Sequence, residues 1–172
     1  NQNFQEYFAN WESIFDLLLE KMGEHYLSFL PILDSFISKA IPTEEDVRSL
    51  RNDVPNNSLL LGYFFQRVQE GWLDELAKHY FKDPPDTNDG FWPDAKYLER
   101  VASLRPESVL EIVLNIPDTN NSSVIESFCQ IALNLPIELS VQLVPKAKKW
   151  AEIPDAYFVP TKLSDLVVRL SE

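Results

Sequence analysis

The sequence predicts an all-α protein in which antiparallel helix hairpins stack as repeats in a right-handed superhelix, preceded by an N-terminal helical hairpin. Apolar residues recur every three or four positions along most of the chain, and the period-two alternation typical of strands is absent. The chain has only 4 glycines but 12 prolines, and most of these prolines lie between the periodic segments, where helices end.

A helix–break–helix pattern occurs twice between residues 93 and 150. In each copy a Leu-containing junction leads into a helix that begins with proline, at Pro106 and again at Pro136. The two junctions lie about 30 residues apart, which is within the range of helical-hairpin repeats. This recurrence predicts hairpin repeats rather than a single irregular bundle.

Residues 1–54 are predicted to form the N-terminal helical segment. Its first helix carries one sustained stripe at spacings of three and four residues, which favours either core packing within the chain or a coiled-coil seam of a homodimer. A second helix is predicted over residues 31–41, with an inward face ending at Ala40, and Thr43 followed by three acids predicts the start of a third. The stripe of the first helix consists of Phe4, Phe8, Trp11, Phe15, Leu18 and Met22.

Residues 55–172 are predicted to form the repeat region, continuous with the first segment in one all-α domain. Pro145 should interrupt one of its helices, and Thr161 should cap the last, which carries Leu163, Leu166, Val167 and Leu170. The chain starts at Asn1 and stops as this helix is completed, so we expect a segment of a longer protein. Before the last helix, the periodicity predicts helices over 59–68, 72–81, 93–102, 106–116, 122–135 and 136–150.

Short motifs between residues 59 and 150 resemble a HEAT-like helical repeat region of large bacterial multidomain proteins. In that family the repeats act as a spacer or sensor surface beside an NTPase or effector domain, so the resemblance implies an interaction role and carries over no catalytic residue. The motifs are Tyr63-Phe64-Phe65, Trp72-Leu73-Asp74-Glu75-Leu76, Tyr80-Phe81, Pro84-Pro85, Trp92-Pro93, Tyr97-Leu98-Glu99-Arg100-Val101-Ala102, Pro106-Glu107, Ile116-Pro117-Asp118-Thr119-Asn120 and Lys148-Lys149-Trp150.

The charge of the chain argues against two classes of partner. With a net charge of -12, its surface should repel nucleic acid and anionic membranes. The one dense basic run, Lys146, Lys148 and Lys149, falls where a helix should end and is interpreted as compensation of the helix dipole rather than a phosphate-binding patch. The chain has one cysteine, so it cannot form an intramolecular disulfide, and it has no apolar run of membrane-spanning length. Both observations favour a cytoplasmic protein.

The residues that could carry chemistry have simpler structural interpretations. His79 should form a surface pair with Glu75, four residues earlier, and Cys129 should be a buried inert thiol. The acids of residues 83–90 fail the register of a calcium loop. The loop aromatics Phe91, Trp92, Tyr157 and Phe158 are either partner contacts or plugs at the ends of the hairpins.

The expected function is therefore non-catalytic. We expect no catalytic site, no cofactor and no bound metal, and a scaffold that binds a protein partner or links domains of the same polypeptide. The alternative is a regulatory or sensor segment of a larger NTPase or defence-type effector whose active domain lies outside this chain. A homodimer formed through the N-terminal helix is a further alternative.

Overall fold

The structure is a computed structural model and describes residues 21, 23–81, 92–152 and 160–171. Within these ranges the backbone is helix, turn or irregular, and no residue lies in a strand. The all-α prediction is thus confirmed for the described part of the chain. The predicted stripe of the first helix, residues 4–22, lies outside the described residues.

The helices follow one another with short connections. Residues 23–27 are helical, and 3₁₀ turns at Glu70–Trp72 and Val141–Leu143 lead into the helices that follow them. The helices are α1 Leu30–Ile37, α2 Glu44–Asp53, α3 Ser58–Arg67, α4 Leu73–His79, α5 Pro93–Val101, α6 Pro106–Asn115, α7 Ser122–Asn134, α8 Ile137–Ser140, α9 Val144–Ala151 and α10 Pro160–Ser171.

The starts of these helices are encoded locally. Thr43 and Asp46 form a reciprocal capping box at the start of α2, as the hydroxyl followed by acids predicted. Asn57 and Asn121 each accept two backbone amides at the starts of α3 and α7. Proline occupies the first turn of α1, α5, α6 and α9, where its missing N–H costs no hydrogen bond.

Alternate helices contact each other, which arranges the chain in two series. In the first series α1, α3, α5, α7 and α10 contact one another in succession, and in the second α2, α4, α6 and α8 do so. Arg105 at the start of α6 lies 2.9 Å from Asp74 in the first turn of α4, and Arg51 near the end of α2 donates to the carbonyl of His79 at the end of α4. Helices of the second series therefore place like ends side by side.

The core lies where the inward faces of these helices meet. Trp72 packs edge-on against Phe64 at 5.2 Å between ring centroids, and Phe128 stacks with Trp150 at 5.5 Å. Each fully buried side chain of this size contributes about 1.5–3 kcal/mol. Within the helices predicted over 59–68, 106–116 and 122–135, apolar residues at helical spacing are buried: Leu60, Phe64, Val68, Val109, Leu110, Val113, Ile116, Ile125, Phe128, Cys129, Ala132 and Leu135.

Side-chain donors from the next helix of the series satisfy carbonyls at helix ends. Arg100 donates to the carbonyls of Phe65 in the last turn of α3 and of Val68, which follows α3. Arg169 donates at 2.7 Å to the carbonyl of Leu135, which follows α7. Asn134 donates to the carbonyl of Glu99 at 3.0 Å. The last carbonyls of a helix have no partner within it, so these bonds join each helix to its neighbour.

The structure differs from the sequence pattern in detail at three positions. Ala40 lies beyond the end of α1 and is exposed, because the helix ends at Ile37. Val167 is 57% exposed, since it is rotated by about 100° from the buried Leu166. Thr161 lies inside the first turn of α10, which begins at Pro160.

The predicted interruption at Pro145 is confirmed. The segment after Pro136 forms the short helix α8, passes through the 3₁₀ turn and restarts as α9, with Pro145 in its first turn. Because proline lacks an N–H and clashes with the carbonyl four residues earlier, one continuous helix is excluded at this position.

Candidate functional site

A surface groove runs between two neighbouring helices of the second series. One wall is a face of α6, and the other comes from α8 and the 3₁₀ turn that follows it. The groove has a volume of about 470 Å³ and is open to solvent. The lining residues are Glu107, Leu110, Glu111, Leu114, Asn115, Leu139 and Gln142.

The α6 wall is formed by residues that share one face of the helix. Positions 107, 110, 111, 114 and 115 follow the helical spacing of three and four residues. The opposite, inward face of α6 holds the buried Val109, Val113 and Ile116. Helix α6 thus has two apolar faces, one in the core and one in the groove.

The apolar part of the groove is partly open to solvent. Leu114 is 41% exposed, Leu139 is half-buried against the core, and Leu110 is buried between them. An exposed leucine alone needs no explanation, but three leucines converge here from two helices. The groove therefore presents an apolar floor that is partly open to solvent.

The rim of the groove is acidic. Glu107 and Glu111 are four residues apart on α6, and neither forms an ion pair within the ranges that the structure describes. Like charges at this spacing destabilise a helix by a few tenths of a kcal/mol. Other acids are paired: Asp74 with Arg105, and Asp118 with Lys149 at 2.6 Å. The groove therefore carries two negative charges without a cation of their own.

Each helix of the second series also begins with acid. The first turns contain Glu44, Glu45 and Asp46 in α2, Asp74 and Glu75 in α4, Glu107 in α6 and Glu138 in α8. Acids at these positions stabilise the helix dipole. Like ends lie side by side in α2, α4 and α6, so the acids at the starts of these helices share one edge. The acids of α2 and α4 are ion-paired with Lys39, Arg48, Lys78 and Arg105, whereas Glu107 forms no ion pair with the described residues.

The groove was not predicted from the sequence. In the sequence, Glu107 follows the proline that begins a predicted helix, and Leu110 has the spacing of a core residue. The available signal was Leu114, which falls outside the inward set of α6 but on the same face as Leu110. The opposite wall depends on packing between α6 and α8, which no local pattern reveals.

The structure places His79 and Cys129 as the sequence predicted. The imidazole Nε2 of His79 lies 3.8 Å from the Glu75 carboxylate, on the surface of α4. Cys129 is fully buried, and burial raises the pKa of its thiol to about 12. A thiol in this environment is almost entirely protonated at neutral pH and is a poor nucleophile.

The three lysines of the basic run serve the fold. Lys148 and Lys149 lie in the last turn of α9, which confirms the predicted position beside the negative end of the helix dipole. Lys146 donates at 2.6 Å to the carbonyl of Ile116, which follows α6. A hydrogen bond from Lys149 holds the pKa of Asp118 below its ordinary value.

The loop aromatics have different outcomes. Trp92 is buried and packs edge-on against Phe128 at 5.5 Å, so the interpretation as a plug at the end of a hairpin is confirmed for this residue. Phe91, Tyr157 and Phe158 lie outside the described residues, as do the acids of 83–90 that were weighed as a calcium loop.

One buried carboxyl could not be recognised in the sequence. Asp94 lies in the first turn of α5 and is only 8% exposed. Burial raises its pKa to about 7, although a hydrogen bond from the Trp92 side chain acts in the opposite direction. In the sequence it resembles an ordinary acid at a helix start. A single buried carboxyl is not a catalytic arrangement, and its main consequence is for stability.

Comparison of the chain with protein-family models, characterised proteins and solved structures gives no match. Among the described residues, no helix combines the length and apolarity needed to cross a membrane.

Proposed function

We propose that the protein is a non-catalytic helical-repeat scaffold of the HEAT-like kind, stacked as a right-handed superhelix, which binds a protein partner or links domains of one polypeptide. The observation that carries the proposal is the sequence separation of the long-range hydrogen bonds. Every long-range side-chain hydrogen bond recorded for the described residues joins positions 27 to 37 apart.

This separation has a physical meaning in repeat proteins. In a solenoid each unit touches only the next, so contacts connect residues one repeat length apart. A globular bundle of this size would also connect distant parts of the chain. The common separation of about 30 residues and the two series of helices both support stacked hairpins.

The surface supports the interaction role. The net charge of -12 and the open groove between α6 and α8, whose Glu107 and Glu111 form no ion pair with the described residues, provide a surface suited to recognition of a basic protein surface. The described residues singled out for chemistry, His79 and Cys129, serve as a surface pair and a buried side chain.

The architecture is tested by hydrogen exchange. Arg169→Met removes the bonds to the ends of α7, so amides of α7 and α10 should exchange faster, while those of α1 and α2 keep their wild-type rates. Equal acceleration throughout the chain would indicate one globular unit and overturn the repeat proposal. Arg48→Met, which removes only surface pairs, is the control.

The function is tested with the native polypeptide that carries this chain. Cross-linking in its source cells, followed by mass spectrometry, should link helices of the second series to one partner or to a flanking domain. Turnover of nucleotide, ester or peptide substrates by the purified chain, abolished by one substitution within it, would contradict the non-catalytic role.

A further inference from the structure

We propose that the groove between α6 and α8 binds a basic amphipathic helix of a protein partner, with its apolar side chains on the leucines and its Lys or Arg side chains at Glu107 and Glu111. This inference rests on the proposed scaffold role and names the chemistry of the partner. The occupant is determined by the charge and shape of the groove.

The charge of the groove selects a cation. Glu107 and Glu111 repel each other at the four-residue spacing, and no cation of the described residues is paired with them. The nearest arginine along the chain, Arg105, is held by Asp74 and Ser108. A partner with two basic residues four positions apart would match this spacing and remove the repulsion.

The apolar floor selects an amphipathic partner over a simple polycation. Leu114 and Leu139 approach from opposite walls, and Leu110 lies below them. Helices that bind grooves do so through apolar residues spaced by three, four and seven positions, with polar residues outside. The leucines and acids on the α6 wall follow that same period, so the face of α6 matches the face of a bound amphipathic helix.

The direct probe is a synthetic peptide of about 18 residues, long enough to be helical, with leucines on one face and lysines at four-residue spacing beside them. Fluorescence anisotropy measures its binding to the whole chain. Glu107→Gln combined with Glu111→Gln should weaken binding at least about tenfold. Glu126→Gln combined with Glu152→Gln removes the same charge from exposed positions outside the groove and should change binding less than about twofold.

The apolar contact is tested without changing charge. Leu114→Ala should weaken binding of the peptide about fivefold. Leu114 is partly exposed in the free chain, and the substitution removes the apolar surface that the bound peptide would cover. Leu104→Ala, at a leucine that is 60% exposed and outside the groove lining, should leave binding unchanged. Both sites tolerate alanine, so thermal unfolding should show folded proteins in each case.

Three results would overturn the inference. The first is that the peptide does not bind the chain at low ionic strength. The second is that the Glu107/Glu111 and Glu126/Glu152 double substitutions weaken peptide binding equally, because the peptide is then attracted only by the net charge of the chain. The third is a peptide with glutamates in place of lysines that binds as well. If these occur while cross-linking still finds a partner on other helices, the scaffold role stands and only the groove assignment fails.

Discussion

Arg100 and Arg169 make the same kind of contact in different parts of the chain. Each lies near the end of a first-series helix and donates to main-chain carbonyls at the end of the preceding helix in that series. Arg100 reaches the carbonyls of Phe65 and Val68, and Arg169 reaches those of Ala132 and Leu135. Guanidinium suits this position because it offers several donors in a fixed geometry to carbonyls that lack a helical partner.

Arg100→Met should lower the free energy of unfolding by about 1–2 kcal/mol. The substitution keeps much of the apolar stem but removes a charged donor, so two carbonyls lose a bond. Urea unfolding measures the change. Arg48→Met removes two exposed pairs with Glu44 and Glu45 and should cost less than about 0.5 kcal/mol. An equal loss of unfolding free energy in both variants would show that the hydrogen bonds at helix ends stabilise the protein no more than exposed ion pairs do.

Trp72→Phe should destabilise the protein more than Trp150→Phe does, by about 1 kcal/mol. Both indoles are buried, but Trp72 donates at 2.8 Å to the carbonyl of Lys39, whereas the indole N–H of Trp150 has no acceptor among the described residues. Trp72→Phe removes a hydrogen bond that stabilises the folded state, whereas Trp150→Phe removes a buried N–H whose lost hydration destabilises the folded state. Thermal unfolding of both variants measures the difference. The reverse order of stability would refute this explanation.

Gly71→Ala should destabilise the protein by about 1–3 kcal/mol. A Cβ at this position would lie 2.1 Å from the carbonyl oxygen of Ala40, so backbone must move. Gly23→Ala provides the control, because the residue is helical and a Cβ there would meet no atom of the described residues within 4 Å. That change should stabilise the protein by about 0.5–1 kcal/mol. Chemical denaturation of the two variants should therefore give effects of opposite sign.

Asp94→Asn should make the protein more stable above pH 7 and should not do so near pH 4. Burial raises the pKa of Asp94 from 3.8 to about 7, so between these values the folded state binds the proton more tightly than the unfolded state. Stability contributed by this carboxyl is present below about pH 4 and falls as pH rises to about 7. The difference between the two pKa values limits the gain in the free energy of unfolding at pH 8 to about 4 kcal/mol. The gain is smaller than this limit because the helix dipole favours the carboxylate.

The pH dependence of unfolding for the wild type and the Asp94→Asn variant gives this difference directly. Asp118→Asn is the control with the opposite sign, since the Lys149 hydrogen bond lowers the pKa of Asp118 and its stabilisation is lost as pH falls. A constant difference between wild type and Asp94→Asn at all pH values would contradict the role of burial.

Helix boundaries were largely predictable because they depend on neighbouring residues. Thr43 with Asp46, the asparagines before α3 and α7, and Pro145 in the first turn of α9 all act within one turn of the chain. Ala40 and Val167 share the apolar spacing of buried residues but are exposed, because exposure depends on where a helix ends and which of its faces meets a neighbour.

The sequence by itself determined the all-α class, the starts of most helices and the buried positions of several of them, since periodicity and capping are local properties. Tertiary structure alone decided that alternate helices pair, that Arg100 reaches Val68, that Asp94 is buried, and that α6 and α8 leave an acidic groove between them. These features depend on distances between residues some 30 positions apart, which no local pattern specifies.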